Sequence, residues 1–222
     1  MWRDALLVAG KDLRVERRSH VARNQVLPFA VAVLLLFGLA LGPDRQRLEV
    51  AAAGLFWVTV LFATILAVQR SFALERDDDA LDTLRVSGID PGGVFLGKAG
   101  ALLVELAALE VALALVAAVL FSIPLSSGAF LAVTAVVATA GLVAIGTLYG
   151  ILASSSRVHE TLLPLLFLPV AAPVLLGAVK TWQLGIARTP GAGLGWLALL
   201  AAFAAIYLAI GTVAFGALLE DG

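Results

Sequence analysis

Residues 99–122 read AGALLVELAALEVALALVAAVLFS, an apolar run interrupted by only two charged side chains, Glu105 and Glu110. A helix needs about 20 mostly apolar residues to cross a membrane, because the hydrocarbon core is roughly 30 Å thick and each residue rises about 1.5 Å. The strands of an outer-membrane barrel are about ten residues long and alternate in polarity. This unbroken run therefore predicts a transmembrane helix.

The rest of the chain has the same character. It has 222 residues, of which 61% are hydrophobic and 14% charged, whereas soluble domains are about 45–50% apolar and about 25% charged. The sequence predicts an all-α integral membrane protein with six transmembrane helices, forming a single domain over residues 1–222. The predicted spans are about 26–42, 51–68, 99–122, 129–152, 161–179 and 193–218.

The absence of cysteine excludes disulfides and iron–sulfur clusters. A net charge of −1 gives no reason to expect a nucleic-acid partner. No nucleophile–base pair or metal-ligand cluster is apparent, so the sequence predicts a non-catalytic subunit rather than an enzyme.

Basic residues predict the orientation of the spans, because they are enriched in cytoplasmic segments. If the N-terminus is inside, all but four of the 15 basic residues fall on the cytoplasmic side. The four are Arg45, Arg47, Lys180 and Arg188. We therefore expect both termini in the cytoplasm.

Residues 1–23 precede the first span and are too polar to cross. Trp2, Leu6, Ala9 and Leu13 recur at helical spacing, with basic residues between them. This pattern is typical of an amphipathic helix that lies in the headgroup plane and turns its apolar stripe toward the acyl chains. The alternative is a charged leader that only sets the topology.

Residues 69–98, between spans two and three, read QRSFALERDDDALDTLRVSGIDPGGVFLGK. The acids at 77–79 are typical of a helix start, where exposed amides favour negative charge. Leu81 and Leu84 lie on one face of the predicted short helix, and residues 90–93 predict a turn. Such a helix suits a groove on a soluble partner, although an ordinary charged loop would have the same composition.

Residues 92–98 fit the GxxxxGK part of a nucleotide-binding loop. The next position should be Ser or Thr to hold magnesium, but it is Ala99, and no strand precedes the motif. We therefore reject a nucleotide site and expect Lys98 to extend from span three to the lipid headgroups.

Polar residues and prolines within the predicted spans are candidates for a functional role. Glu110 falls near the bilayer midplane, where an acid normally faces the bundle interior, a wet cavity or a partner. It is either part of a translocation path or a hydrogen-bonded packing residue. Pro164, Pro169 and Pro173 remove three backbone donors from span five. We expect that span to be kinked or broken, which suits a moving element but also irregular packing.

Over essentially its full length the chain resembles the heme exporter protein B family, the channel-forming membrane subunits of the bacterial cytochrome c maturation ABC transporter. The most specific likeness is an aromatic start, an acidic patch, a short L-x-x-L helix and a Gly-Lys pair that enters span three. Two departures are Asp79-Ala80, in place of a small Gly-Thr or Gly-Ser step, and Gly88 in place of a proline. The matching residues are Phe72, Glu75, Asp78, Leu81, Asp82, Leu84, Gly97 and Lys98.

The resemblance implies an ABC-2-type exporter permease fold in the bacterial inner membrane. It implies that the helix from Asp79 to Arg85 couples the spans to a cytoplasmic ABC ATPase that binds ATP and Mg²⁺. The chain itself would bind no cofactor, and heme would be the cargo of the complex. Further implied partners are a second copy of the chain, a heme-handling membrane subunit, a small accessory membrane subunit and a periplasmic heme chaperone.

Two alternatives stay open. One is an ABC-2-type export permease for a lipid, polysaccharide or drug. The other is a secondary transporter or membrane enzyme that works without an ATPase.

Overall fold

The computed structural model describes residues 1–19, 22–42, 44–77, 89–121, 127–154 and 159–221. Within these ranges the chain is helical and has no strand. The elements are α1 (Trp2–Ser19), a π-helical turn (Ala22–Val26), α2 (Leu27–Leu41), α3 (Arg45–Asp77), α4 (Pro91–Leu120), α5 (Gly128–Ser154), α6 (His159–Ile186) and α7 (Pro190–Asp221).

Six helices in the described part of the chain are long and apolar enough to cross a membrane, which confirms the predicted fold class. They are α3 to α7 and the segment from Asn24 to Leu41, which joins the π-helical turn to α2. The apolar part of α4 begins at Pro91, eight residues before the predicted span. The prediction of a turn over residues 90–93 is therefore wrong from Pro91 onward.

The start of α4 has a clear local cause. Asp90 is the N-cap, and its Oδ2 accepts a hydrogen bond from the Gly93 backbone N–H at 2.6 Å. Pro91 occupies the first helical position, where its missing N–H is not needed and its fixed φ is already helical. Asp90-Pro91 thus starts a helix instead of closing a turn.

The bundle is built around α5, which packs against α3, α4, α6 and α7. Glycines permit this close packing. A Cβ atom placed on Gly146 would lie 2.6 Å from Val68 Cγ2 of α3, and one on Gly141 would lie 3.2 Å from Val174 Cγ1 of α6. Small residues at such positions let helix backbones approach where the hydrophobic effect does not drive association.

The predicted break in span five is absent. The helix α6 runs from His159 to Ile186 with Pro164, Pro169 and Pro173 inside it. Each proline removes one backbone hydrogen bond, but the intervening residues keep theirs and maintain the helix. Bending of α6 at the prolines stays a prediction.

An aromatic cluster joins α3 to α6. The rings of Phe56 and Trp182 stack with centroids 4.1 Å apart, and Trp57 meets Trp182 edge-on at 5.6 Å. Trp182 Nε1 donates to the Leu131 carbonyl of α5 at 3.1 Å. These contacts link three helices toward the end of the bundle where α3 begins.

We call the opposite end, where α3 ends and α4 begins, the basal end.

Candidate functional site

The first turns of α4 form a groove for α1. Gly93 and Gly97 lie one helical turn apart, and neither has room for a side chain. A Cβ on Gly93 would lie 2.7 Å from the Met1 carbonyl oxygen, and one on Gly97 would lie 2.6 Å from that of Ala5. Because these obstacles are backbone atoms, only glycine permits α1 to lie this close. The residues that resemble a nucleotide-binding loop therefore serve helix packing.

Lys98 follows this groove and is fully buried. Its Nζ lies 3.4 Å from Asp12 Oδ2 of α1 and 3.5 Å from Ser71 Oγ of α3. The same atom lies 4.7 Å from the centre of the Phe72 ring. The expectation that Lys98 reaches the headgroups is thus wrong: a buried ammonium needs a charged partner and hydrogen-bond acceptors, and α1 and α3 supply them.

A second ion pair joins α1 to α3. Arg70 Nη1 lies 2.7 Å from Glu16 Oε2, and both side chains are mostly buried. Asp12 and Glu16 lie one turn apart on the face of α1 that also carries the buried Ala5 and Val8. We call Asp12, Glu16, Arg70, Phe72 and Lys98 the basal junction.

Phe72 connects this junction to the centre of the bundle. Its buried ring packs directly on Gly150 of α5, so closely that a Cβ on Gly150 would overlap it. The cation of Lys98 lies over the same ring. The resemblance assigns Phe72 to ATPase coupling. In the structure its side chain is buried and contacts α5, so it does not lie on the outer surface of the protein.

The other predicted coupling residues can be placed only in part. Glu75 lies in the last turns of α3. Asp78, Asp79, Leu81, Asp82, Leu84 and Arg85 lie outside the described residues. The structure does describe the residues on both sides of them, because its description of α3 runs to Asp77 and α4 begins at Pro91.

The predicted membrane-facing residues of α1 lie away from the bundle. Trp2 and Leu6 are each 74% exposed, and Leu13 is half-buried, whereas Ala5 and Val8 are buried against α4. The apolar stripe and the packing face of α1 are therefore different surfaces of the helix.

Glu110 is buried inside the bundle and accepts a hydrogen bond from Thr139 Oγ1 of α5. Glu105 is half-buried and lies within electrostatic reach of Glu16 and Arg70 of the basal junction. The two acids of α4 thus have different surroundings.

We expect a Glu110→Gln variant to keep thermal stability and cellular activity near those of the wild type. The amide oxygen still accepts from Thr139, so the link between α4 and α5 persists. Thr139→Val should cost about 1–3 kcal/mol of stability, because it leaves the buried carboxyl of Glu110 without its hydrogen-bond donor. Thermal unfolding in detergent measures this difference. Loss of function in Glu110→Gln with normal stability would instead indicate a proton-carrying role.

Three site residues are absent from the sequence predictions, namely Asp12, Glu16 and Thr139. The spacing of Asp12 and Glu16 on one face of α1 with Ala5 and Val8 was a usable signal that this face is buried. Thr139 gave no signal, since threonines in apolar helices commonly bond to their own backbone.

Known proteins resemble this chain over most of its length. Residues 3–222 match the family described as CcmB protein. The chain is 31% identical over 166 residues to heme exporter protein B of Rhodobacter capsulatus, covering 75% of this chain and 76% of that protein. It is 28% identical over 201 residues to heme exporter protein B of Pseudomonas aeruginosa, covering 90% of each. The protein of the same name from Haemophilus influenzae is 27% identical over 188 residues, covering 85% of each.

Proposed function

Because the chain belongs to the CcmB family, we propose that it is the membrane subunit of an ABC transporter for cytochrome c maturation. In this proposal a partner chain binds and hydrolyses ATP, and the subunit couples hydrolysis to heme export or to release of the heme-loaded periplasmic chaperone. The subunit lies in the bacterial inner membrane with both termini in the cytoplasm. The distribution of basic residues supports this orientation.

The observation that carries the proposal is the way the two ends of the 78–88 segment are held. Lys98 of α4 contacts Ser71 and Phe72 of α3, so the helices on either side of the segment are joined to each other. Asp12 and Glu16 join both of them to α1. A force applied to residues 78–88 would therefore move α1, α3 and α4 together rather than one helix alone.

The same contacts would transmit such a displacement into the bundle. Phe72 lies between Lys98 and Gly150, so displacement of α3 presses on α5. Since α5 packs against α3, α4, α6 and α7, a shift there would reorganise most of the membrane domain. Packed helices respond to such shifts by changing between discrete arrangements.

The remaining partners follow from the family. We propose that two copies of the chain pair in the membrane beside two ATPase subunits, a heme-handling membrane subunit and a small accessory membrane subunit. The relatives are named heme exporters, which supports heme as the cargo of the complex.

We do not propose that this chain ligates heme iron directly. Heme iron normally takes His, Met, Cys or Tyr as its axial ligand. Apart from two histidines predicted at the cytoplasmic face and Met1, the chain offers Tyr149 and Tyr207. The Tyr207 hydroxyl already donates to the Val170 carbonyl at 3.1 Å.

We expect the chain purified alone to retain far less than one heme per molecule. Absorbance in the Soret region against protein concentration measures this ratio. The complex with its heme-handling subunit serves as the positive control. Stoichiometric heme on the isolated chain that survives replacement of both histidines would contradict the expectation.

Deletion of the gene for this chain tests the proposed function as a whole. The deletion should abolish holo-cytochrome c, measured by heme-stained gels, and a plasmid copy should restore it. Normal cytochrome c in the deletion strain, with a defect in lipid or polysaccharide export, would contradict the proposal.

A further inference from the structure

We propose that α1 carries a basic flank, formed by Arg3, Arg14 and Arg17, that binds the phosphate groups of anionic phospholipids in the leaflet at the basal end. This inference requires the chain to span a membrane, but it does not depend on heme export. It concerns a surface of α1 other than the one that packs against α4.

The acidic side chains of α1 and its arginines have different surroundings. Two of its three acids have partners on other helices: Asp12 pairs with Lys98, as well as with Lys11 of α1 itself, and Glu16 pairs with Arg70. Asp4 pairs with the N-terminal ammonium at 3.0 Å, a hydrogen bond that lowers the pKa of this carboxyl and keeps it ionised. Because these acids are engaged by other partners, they do not neutralise the outer side of the helix.

The arginines of α1 are on the outer side. Arg3, Arg14, Arg17 and Arg18 are all exposed. No ion pair of these four arginines with an acid occurs among the residues that the structure describes. The helix therefore presents more positive charge to its surroundings than its composition alone implies.

Three surfaces lie side by side around α1: the face that packs against α4, the apolar stripe and the basic flank. At 3.6 residues per turn, the stripe of Trp2, Leu6 and Leu13 lies about 110° from the buried Ala5 and Val8. The basic flank lies about 75° beyond this stripe, on the side away from the bundle. A helix lying in the interface with its apolar stripe toward the acyl chains would thus have α4 on one side and the arginines on the other, at headgroup depth.

The chemistry of these residues fits a lipid phosphate. Arginine binds phosphate in a bidentate geometry, and basic residues beside a membrane favour anionic lipids. The adjoining Trp2 and Leu6 are 74% exposed, and such side chains favour the bilayer interface. With the apolar stripe in contact with acyl chains, the groups that meet the adjoining arginines at headgroup depth are lipid phosphates rather than an acidic protein surface.

The absence of cysteine permits a site-specific test on the full-length chain. A Val15→Cys variant places a donor fluorophore on α1 at a side chain that is 42% exposed and lies away from the basic flank. The labelled chain is placed in phosphatidylcholine nanodiscs with equal trace amounts of an acyl-labelled acceptor, either phosphatidylglycerol or phosphatidylcholine. Energy transfer then reports which lipid gathers next to α1.

We expect transfer to phosphatidylglycerol to exceed transfer to phosphatidylcholine by at least about two-fold at 0.1 M salt and to fall at 0.5 M. The variant Arg3→Gln/Arg14→Gln/Arg17→Gln should remove the preference. The matched control Lys180→Gln/Arg188→Gln, at the opposite end of the bundle, should keep it.

Equal transfer to both lipids in the wild type would overturn the proposal. So would a preference that survives in the triple variant, because it would assign the selectivity to another surface. Loss of ATPase co-purification in the triple variant without any lipid preference in the wild type would assign the basic flank to a protein partner and would also overturn it.

Discussion

A Gly97→Ala variant is expected to lift α1 from its groove and to uncouple the basal junction while the chain still inserts into the membrane. The added Cβ would lie 2.6 Å from the Ala5 carbonyl oxygen and 2.7 Å from Val8 Cβ. Overpacking of this kind costs about 1–3 kcal/mol. The docked state of α1 should therefore become roughly 5- to 150-fold less favoured, since 1.4 kcal/mol is a factor of ten.

The measurement is the reactivity of a cysteine introduced at position 8, where the native Val8 is buried between α1 and α4. We expect a Val8→Cys chain to react with a thiol reagent about five-fold faster or more once Gly97→Ala is added. Holo-cytochrome c should fall in the same strain. Gly100→Ala is the matched control, because a Cβ there meets nothing within 4 Å. Equal effects of the two substitutions would show that the groove has no special role.

The second large effect is expected for Leu81→Asp/Leu84→Asp. If both leucines enter a groove on the ATPase, each contributes about 1.5–3 kcal/mol of apolar burial. Replacing them with carboxylates should weaken the complex by at least about 100-fold and remove the ATPase from a purification on the tagged chain. The amount of chain in the membrane fraction should not change.

The control for this pair is Asp44→Lys/Arg47→Asp. It changes two charged residues of an exposed ion pair at the other end of the bundle, and it should leave co-purification intact. If Leu81→Asp/Leu84→Asp keeps the ATPase at wild-type stoichiometry, the leucines do not form the docking surface.

The number of spans was predictable because apolar length alone decides whether a helix can cross the bilayer. The position of α1 as a helix before the first span was also predictable from its periodicity. The start of α4 was not predictable from the sequence. Asp-Pro-Gly-Gly is typical of turns, but it is also compatible with a capped helix whose glycines pack against neighbouring helices. In the structure the Asp90 cap and the close approach of α1 to Gly93 and Gly97 together favour the helix.

Lys98 illustrates a second limit. A lysine at the end of an apolar run normally extends to the headgroups, and nothing near it in the sequence suggests otherwise. Its partner Asp12 is 86 residues away along the chain. Long-range pairing of this kind depends on how helices pack, which hydrophobic periodicity does not encode. Glu110 is similar, since its partner Thr139 belongs to the next helix.

Cross-linking from position 84 tests the central claim most directly. A Leu84→Cys chain, otherwise free of cysteine, is treated in native membranes with a short thiol-to-amine reagent, beside an Asp44→Cys control. We predict a covalent product between the Leu84→Cys chain and the ATPase subunit, and none with the Asp44→Cys chain. The absence of a product from the Leu84→Cys chain, together with modification of its thiol by a membrane-impermeant reagent added to the periplasmic side, would contradict the account.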